Sequence, residues 1–266
     1  MSTLSTAEWL LLVFLSIPIL ATLLSLIPSD HWTARVFDFP RPQIAVWNLL
    51  GLVFIAVFKL GDNLLFNVFA LATLICAAYQ FWKIAAYTPL RKPQVISYSG
   101  PDNQRTISVL CCNVLTPNRQ ADKLLSQIDA YQPDIVLTLE TDQWWEQQLS
   151  PLEQTYPYTV KVPLENLYGM HLYSRFPLRD AQVHYRVRDD IPSIESEVQL
   201  KSGEWIRIFC LHPMPPSPTE SDTSTERDGE LLLVGKEIEA NDYSCLVFGD
   251  LNDVAWSRTT RLFQRI

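Results

Sequence analysis

The chain has 266 residues, more than one average domain, and 48% of them are hydrophobic. Its net charge of -8 speaks against a domain held on nucleic acid by a broad basic surface, although a bound cation can reverse charge locally and leaves nuclease chemistry open. Five cysteines with no CxxC pair exclude a disulfide framework and a thiolate zinc site, and read as reduced core residues.

In chain order, the first signals are three runs without a charged residue: Trp9 to Ser29 (21 residues), Pro42 to Phe58 (17) and Asn63 to Trp82 (20). A bilayer needs about 20 apolar residues per helix, so residues 1–86 read as a membrane domain with three transmembrane helices. Pro18, inside the first run, is tolerated where neighbours can satisfy the freed carbonyl. A cleaved leader fits poorly, because MSTLSTAEW lacks a basic residue and contains Glu8. Basic residues flank the runs asymmetrically: Arg35, Arg41, Lys83, Arg91 and Lys92 on one side, Lys59 on the other. The bias predicts a cytoplasmic location for everything after the third run. Residues 1–86 carry four acids and four bases, so the negative balance belongs to residues 87–266.

Residues 87–105 mix Pro, Gly, Ser and bases and read as a linker; a folded domain spans 106–266. TISVLCC predicts a strand, Gln120 to Tyr131 an amphipathic helix, and DIVLTL a second strand, which together make a βαβ unit with parallel strands. HLYSRFPL and ESEVQL predict further strands. EWIRIFCL, a helix over Glu226 to Ala240 and the strand SCLVF, read as covered on both faces, repeat the βαβ pattern. Between them SPTESDTSTE reads as a mobile loop. Parallel strands end on one edge, so Asn113, Glu140, His212, Asp250 and Asn252 are expected to converge on a single rim. Each alone is an ordinary turn or cap residue. Their shared position is what points to chemistry.

Asn113 and Glu140 supply hard oxygen ligands, which suit Mg²⁺, with Mn²⁺ as the alternative; paired His or Cys ligands for zinc are absent. Asp250 is then available to orient or deprotonate a water, Asn252 to fix its direction, and His212 to donate to a phosphoryl oxygen. That chemistry is metal-assisted phosphoester hydrolysis.

The series NV (113–114), LE (139–140), SRFPL (174–178), LHPMPP (211–216) and GDLND (249–253) resembles the endonuclease/exonuclease/phosphatase family, in its membrane-anchored bacterial branch. The resemblance implies an α/β four-layer sandwich, two mixed sheets with outer helices, over residues 106–266. It matches Asn113 and Glu140 to metal ligands, His212 to a phosphate contact, and Asp250 with Asn252 to the GDxN pair. It adds Arg227 as a weaker phosphate contact and leaves His171 structural. It also implies a further strand with an Asp-His pair, absent before Ile266, so the 266-residue chain is expected to hydrolyse phosphoesters poorly. The reading is a membrane-anchored Mg²⁺-dependent phosphoester hydrolase of the bacterial inner membrane. Its partners are the bilayer and a phosphoester, with lipid or small molecules favoured over nucleic acid. The alternative is a catalytically silent membrane protein that uses the domain for binding or assembly.

Overall fold

The computed structural model describes residues 4–58, 60, 64–101, 104–241 and 243–266, and they divide into two compact units. The first comprises Met1–Tyr98, Pro216–Ser224 and Val254–Arg261; the second comprises Ser99–Pro215, Thr225–Asp253 and Leu262–Ile266.

The first unit is helical: α1 (Thr6–Leu24), the short α2 (Trp32–Arg35), α3 (Arg41–Val57) and α4 (Leu64–Ile84). A capping box starts α1, with the Glu8 N–H donating to Ser5 Oγ at 3.3 Å and the Ser5 N–H to Glu8 Oε2 at 2.7 Å. Three spans were expected; the structure has two such helices, or up to three if a bent pair is counted as one span. Two helical stretches, Thr6–Leu24 and Leu64–Tyr87, are long and apolar enough to cross a membrane. The middle run is instead one arm of a bent pair, Trp32–Asp38 and Arg41–Val57, meeting at 70°. Pro40 and Pro42 sit at that bend, where they deny the backbone the N–H groups and the preceding conformation that a continuous helix needs.

Arg41 looks like a flanking charge in the sequence, yet it is only 2% exposed. It forms an ion pair with Asp38 and donates to Gln80 Oε1 at 2.9 Å, and Gln80 donates to Thr22 Oγ1 at 3.0 Å, which ties α1, α3 and α4 together. Arg35 also approaches Asp38, at 3.6 Å. Two of the five basic residues in the orientation count are therefore engaged by one carboxylate; Lys59 and the first three residues lie outside the described residues.

Two later segments pack into this same unit. SPTESDTSTE was expected to be mobile, but the Ser224 N–H donates to Asp30 O at 2.8 Å and the Trp32 N–H to Asp222 O at 2.9 Å, which fixes the end of the run. In Val254–Arg261, Trp256 Nε1 donates to Asp38 O at 2.6 Å, and the Tyr87 hydroxyl donates to Ala255 O at 2.5 Å.

The second unit contains two four-stranded mixed sheets. β1 (Val109–Asn113), α5 (Ala121–Tyr131), β2 (Ile135–Leu139), α6 (Gln143–Leu149), β3 (Tyr158–Val162) and β4 (Met170–Ser174) build the first, in strand order β1-β2-β4-β3. β5 (Leu178–His184), β6 (Ser193–Gln199), β7 (Trp205–Leu211), α7 (Thr225–Glu239) and β8 (Cys245–Gly249) build the second, in order β5-β6-β7-β8; α8 (Arg258–Phe263) comes after β8. Both βαβ units form as expected, with β1 parallel to β2 and β7 parallel to β8.

Alternation along the strands separates the layers. Ile135, Leu137, Leu139 and Leu172 meet Ile194, Val198 and Ile208 between the sheets. Val136 and Tyr173 face the other way, onto Leu124, Ile128 and Trp145 of the helices, and Phe209 and Leu211 pack on Leu231 and Val234 of α7. The layers are helix, sheet, sheet, helix.

β8 departs from the expectation of a strand covered on both faces: all five of its residues are half-buried, because it is the last strand of its sheet. The cysteines depart as well. Cys76 and Cys210 are buried, Cys112 and Cys245 half-buried, and Cys111, on the edge strand β1, exposed.

Glu230 on α7 is 4% exposed, and its Oε1 has no hydrogen-bond partner. Burial pushes its pKa up to about 7, against the pull of Arg186. The folded chain therefore holds a proton that the unfolded chain releases above the usual carboxylate pKa of 4.5. Its contribution to stability is full below that value and is lost as pH rises to about 7. Glu230→Gln is expected to remove this slope and to stabilise the fold above pH 7 by about 3 kcal/mol. Thermal melts of both chains between pH 5 and 8 check it: parallel curves would refute the assignment.

Candidate active site at the strand ends

β1 and β2 run in register, Asn113 opposite Leu139, so Asn113 and Glu140 leave the first sheet side by side. β7 and β8 run in register, Leu211 opposite Gly249, so His212 and Asp250 do the same on the second. The rim is joined by one amide. Asn113 Nδ2 donates to Glu140 Oε1 at 2.7 Å and to Asp250 Oδ2 at 3.1 Å, while Asn113 Oδ1 accepts the Leu115 N–H at 3.0 Å. Residues 137 positions apart thus share a hydrogen bond, as the parallel topology requires.

Glu140 Oε2 is buried without a partner. Two carboxylates on one amide, one of them with an orphaned oxygen, form a strongly acceptor-rich pocket. Among the described residues no group of three or more His, Cys, Asp or Glu side chains makes a ready metal cage. The donors present are two carboxylates and an amide, a hard-oxygen set.

Asp250 is held at both oxygens, since its Oδ1 accepts the Asn252 N–H at 3.1 Å. Asn252 orients Asp250 through its backbone; its side-chain Nδ2 instead donates to Pro213 O at 2.9 Å, beside His212. His212 is 3% exposed, its ring centroid is 5.2 Å from that of Tyr168, and its Nδ1 has no partner. Burial drives its pKa well below the usual imidazole value although Asp250 opposes the shift, so the ring is neutral at pH 7 and donates through one N–H.

The backbone is unusual at the same places. Three of the six described non-glycine residues with positive φ lie here, Leu115, Glu140 and Asn252 at 58°, 59° and 49°; the others are Gln132, Leu167 and Asp180. Left-handed conformations of this kind persist only where surroundings enforce them, and they concentrate at functional sites. Gly249, with φ 146°, is under a harder constraint: a Cβ there would lie 1.9 Å from Leu211 O. Gly249→Ala is therefore expected to cost about 3 kcal/mol and to lower the melting temperature by roughly 10 °C. A melt within 2 °C of the parent, a window of roughly half a kcal/mol, would contradict this reading of the turn.

Arg227 holds the loop that follows Asp250. It is 2% exposed: Nη1 donates to Asn252 O at 2.9 Å and lies 3.4 Å from Asp253 Oδ1, and Nε and Nη2 reach Asp228 Oδ1 at 3.1 and 2.8 Å. Its donors are committed to the chain. His171 is fully buried in β4, and burial lowers its pKa to about 3, a neutral core histidine. Sequence reasoning missed Tyr168 as the ring against His212; its place one residue before Gly169 and three before His171 in YGMH gave no periodic signal.

Sheets packed face to face, with acceptors and a neutral histidine gathered where parallel strands end, define a class of α/β sandwich that keeps its chemistry on one rim. The family comparison gives it a name: residues 109–266 match the model of the endonuclease/exonuclease/phosphatase family, and the chain belongs to that family. Among solved structures it is similar to D. rerio TDP2 complexed with single-strand DNA product, with 18% identity, TM-score 0.50, and coverage of 59% of this chain and 64% of that one. It is also similar to the human Nocturnin catalytic domain with bound sulfate (20% identity, TM-score 0.47, coverage 58% and 68%). An endonuclease/exonuclease/phosphatase from Beutenbergia cavernae is a third (16%, TM-score 0.46, coverage 59% and 52%). The chain thus spans less than two thirds of the TDP2 structure. A comparison with curated proteins found no match.

Proposed function

We propose that the chain is a membrane-anchored, Mg²⁺-dependent phosphoester hydrolase whose reaction takes place at the Asn113, Glu140, His212 and Asp250 rim. The observation that carries this is the sharing of Asn113 Nδ2 by the carboxylates of Glu140 and Asp250, with Glu140 Oε2 left unpaired. Asn113 and Glu140 would hold the cation, with waters completing its preferred shell, and Mn²⁺ would substitute. When bound, the cation supplies positive charge that offsets the charge gathering on the phosphoryl oxygens. Asp250, gripped at both oxygens, accepts the proton of the attacking water, and the neutral His212 ring donates its N–H to a phosphoryl oxygen. Arg227 is assigned to holding the loop instead of touching phosphate.

The apolar helices of the first unit are the proposed anchor in a bacterial inner membrane, with the basic flanks favouring a cytoplasmic catalytic unit. An acidic chain tied to a bilayer favours a lipid or small phosphoester over nucleic acid. Nucleic acid stays in view through the fold likeness to TDP2, whose structure holds a single-strand DNA product. The test is an assay of the full chain in nanodiscs with Mg²⁺ against bis(p-nitrophenyl) phosphate, a phospholipid and a single-stranded oligonucleotide. Metal-dependent release, fastest from the lipid, is expected. An oligonucleotide cut faster than the lipid would reverse the substrate assignment, and no metal-dependent release from any of the three would refute the hydrolase reading.

A further inference from the structure

Asn252 is gripped at three points. Its carbonyl accepts from Arg227 Nη1 at 2.9 Å, its N–H donates to Asp250 Oδ1 at 3.1 Å, and its side chain donates to Pro213 O at 2.9 Å. The second and third grips tie the exit of β8 to the exit of β7, since Pro213 comes directly after His212. The first comes from α7 and is the only one whose donor is a rigid guanidinium fork, braced by Asp228 on one side and Asp253 on the other. Asn252 needs such a hold because its φ is 49°, and without it the peptide is free to relax toward ordinary backbone.

We infer that Arg227 is a positioning residue: by fixing the Asn252 peptide from α7, it sets the spacing between Asp250 and His212 across the two strand ends. The inference rests on the hydrolase reading for its effect on turnover, but its effect on the loop stands apart from it. Arg227 touches neither Asp250 nor His212 in the contacts above. It acts on both through one residue, because loss of the left-handed turn withdraws the N–H from Asp250 and the amide from Pro213 together.

Two variants of the full chain test this, Arg227→Met and Arg227→Lys, each read by amide hydrogen exchange and by Mg²⁺-dependent hydrolysis of bis(p-nitrophenyl) phosphate. Met is expected to speed exchange in residues 249–253 at least tenfold while leaving β8 protected, and to lower kcat at least tenfold with KM within threefold. Lys, whose ammonium keeps the charge but cannot reach Asp228, Asp253 and the Asn252 carbonyl together, is expected to fall between Met and the parent in both readouts. Unchanged loop exchange in Arg227→Met would overturn the inference. So would exchange rising equally through α7 and β8, which is the mark of a merely structural role. Should Arg227→Met fail to fold, Arg227→Lys decides: parental loop exchange and kcat would overturn the inference. A parent without turnover would count against the hydrolase reading alone, and the exchange data would still decide the hold on the loop.

Discussion

Replacing Asp250 with Asn is expected to cut metal-dependent turnover by about 10²-fold to 10⁴-fold, the range for loss of a positioned general base. Both carboxylate oxygens accept N–H groups, from Asn252 on one side and Asn113 on the other, at 3.1 Å each. An amide in that place must set its NH₂ against one of these donors whichever way it turns. The variant therefore loses the base and one orienting bond at once. Asp250 is half-buried and lies outside the sheet ladders, so the fold should survive. Steady-state kinetics beside circular dichroism check the claim; turnover within threefold of the parent would refute the role given to Asp250.

Glu140→Gln is expected to invert the order of stability on adding Mg²⁺. Without the cation, the carboxylates of Glu140 and Asp250 share one amide, and neutralising one relieves roughly 1 kcal/mol of water-screened repulsion. The variant should then melt at or a few degrees above the parent, given roughly 2 to 4 °C per kcal/mol at this size. With Mg²⁺ at ten times its dissociation constant, the parent gains about 1.4 kcal/mol through binding to the folded state. The variant, with one charged ligand removed, gains little. Melts that move equally with Mg²⁺ in both chains would remove Glu140 from the cation site.

Much of this rim was legible because it depends on topology. Two strand-helix-strand patterns force parallel pairing, and parallel pairing puts Asn113 beside Glu140 and His212 beside Asp250. What stayed hidden depends on side-chain burial and local backbone. Arg227 and Arg41 are both 2% exposed, yet a charge in a sequence reads as solvated. SRFPL reads as part of a strand, but β4 ends at Ser174 and β5 begins at Leu178, because Ser174 Oγ accepts the Phe176 N–H at 3.0 Å and Pro177 cannot donate to a ladder. QWWEQQL, capped by Asp142, is too short for helical periodicity to declare itself, and YTVKV pairs only at an edge. The 17-residue middle run kept its apolar signal but not its geometry, since prolines at its start turn the chain by 70°.

Asn113 and Glu140 are proposed to hold a cation beside the base Asp250, and a calorimetric titration of Mg²⁺ into the full chain in nanodiscs tests this most directly. A single site in the parent is expected, with binding at least tenfold weaker in Glu140→Gln. Equal affinity in the two chains, or no binding heat in the parent, would contradict it.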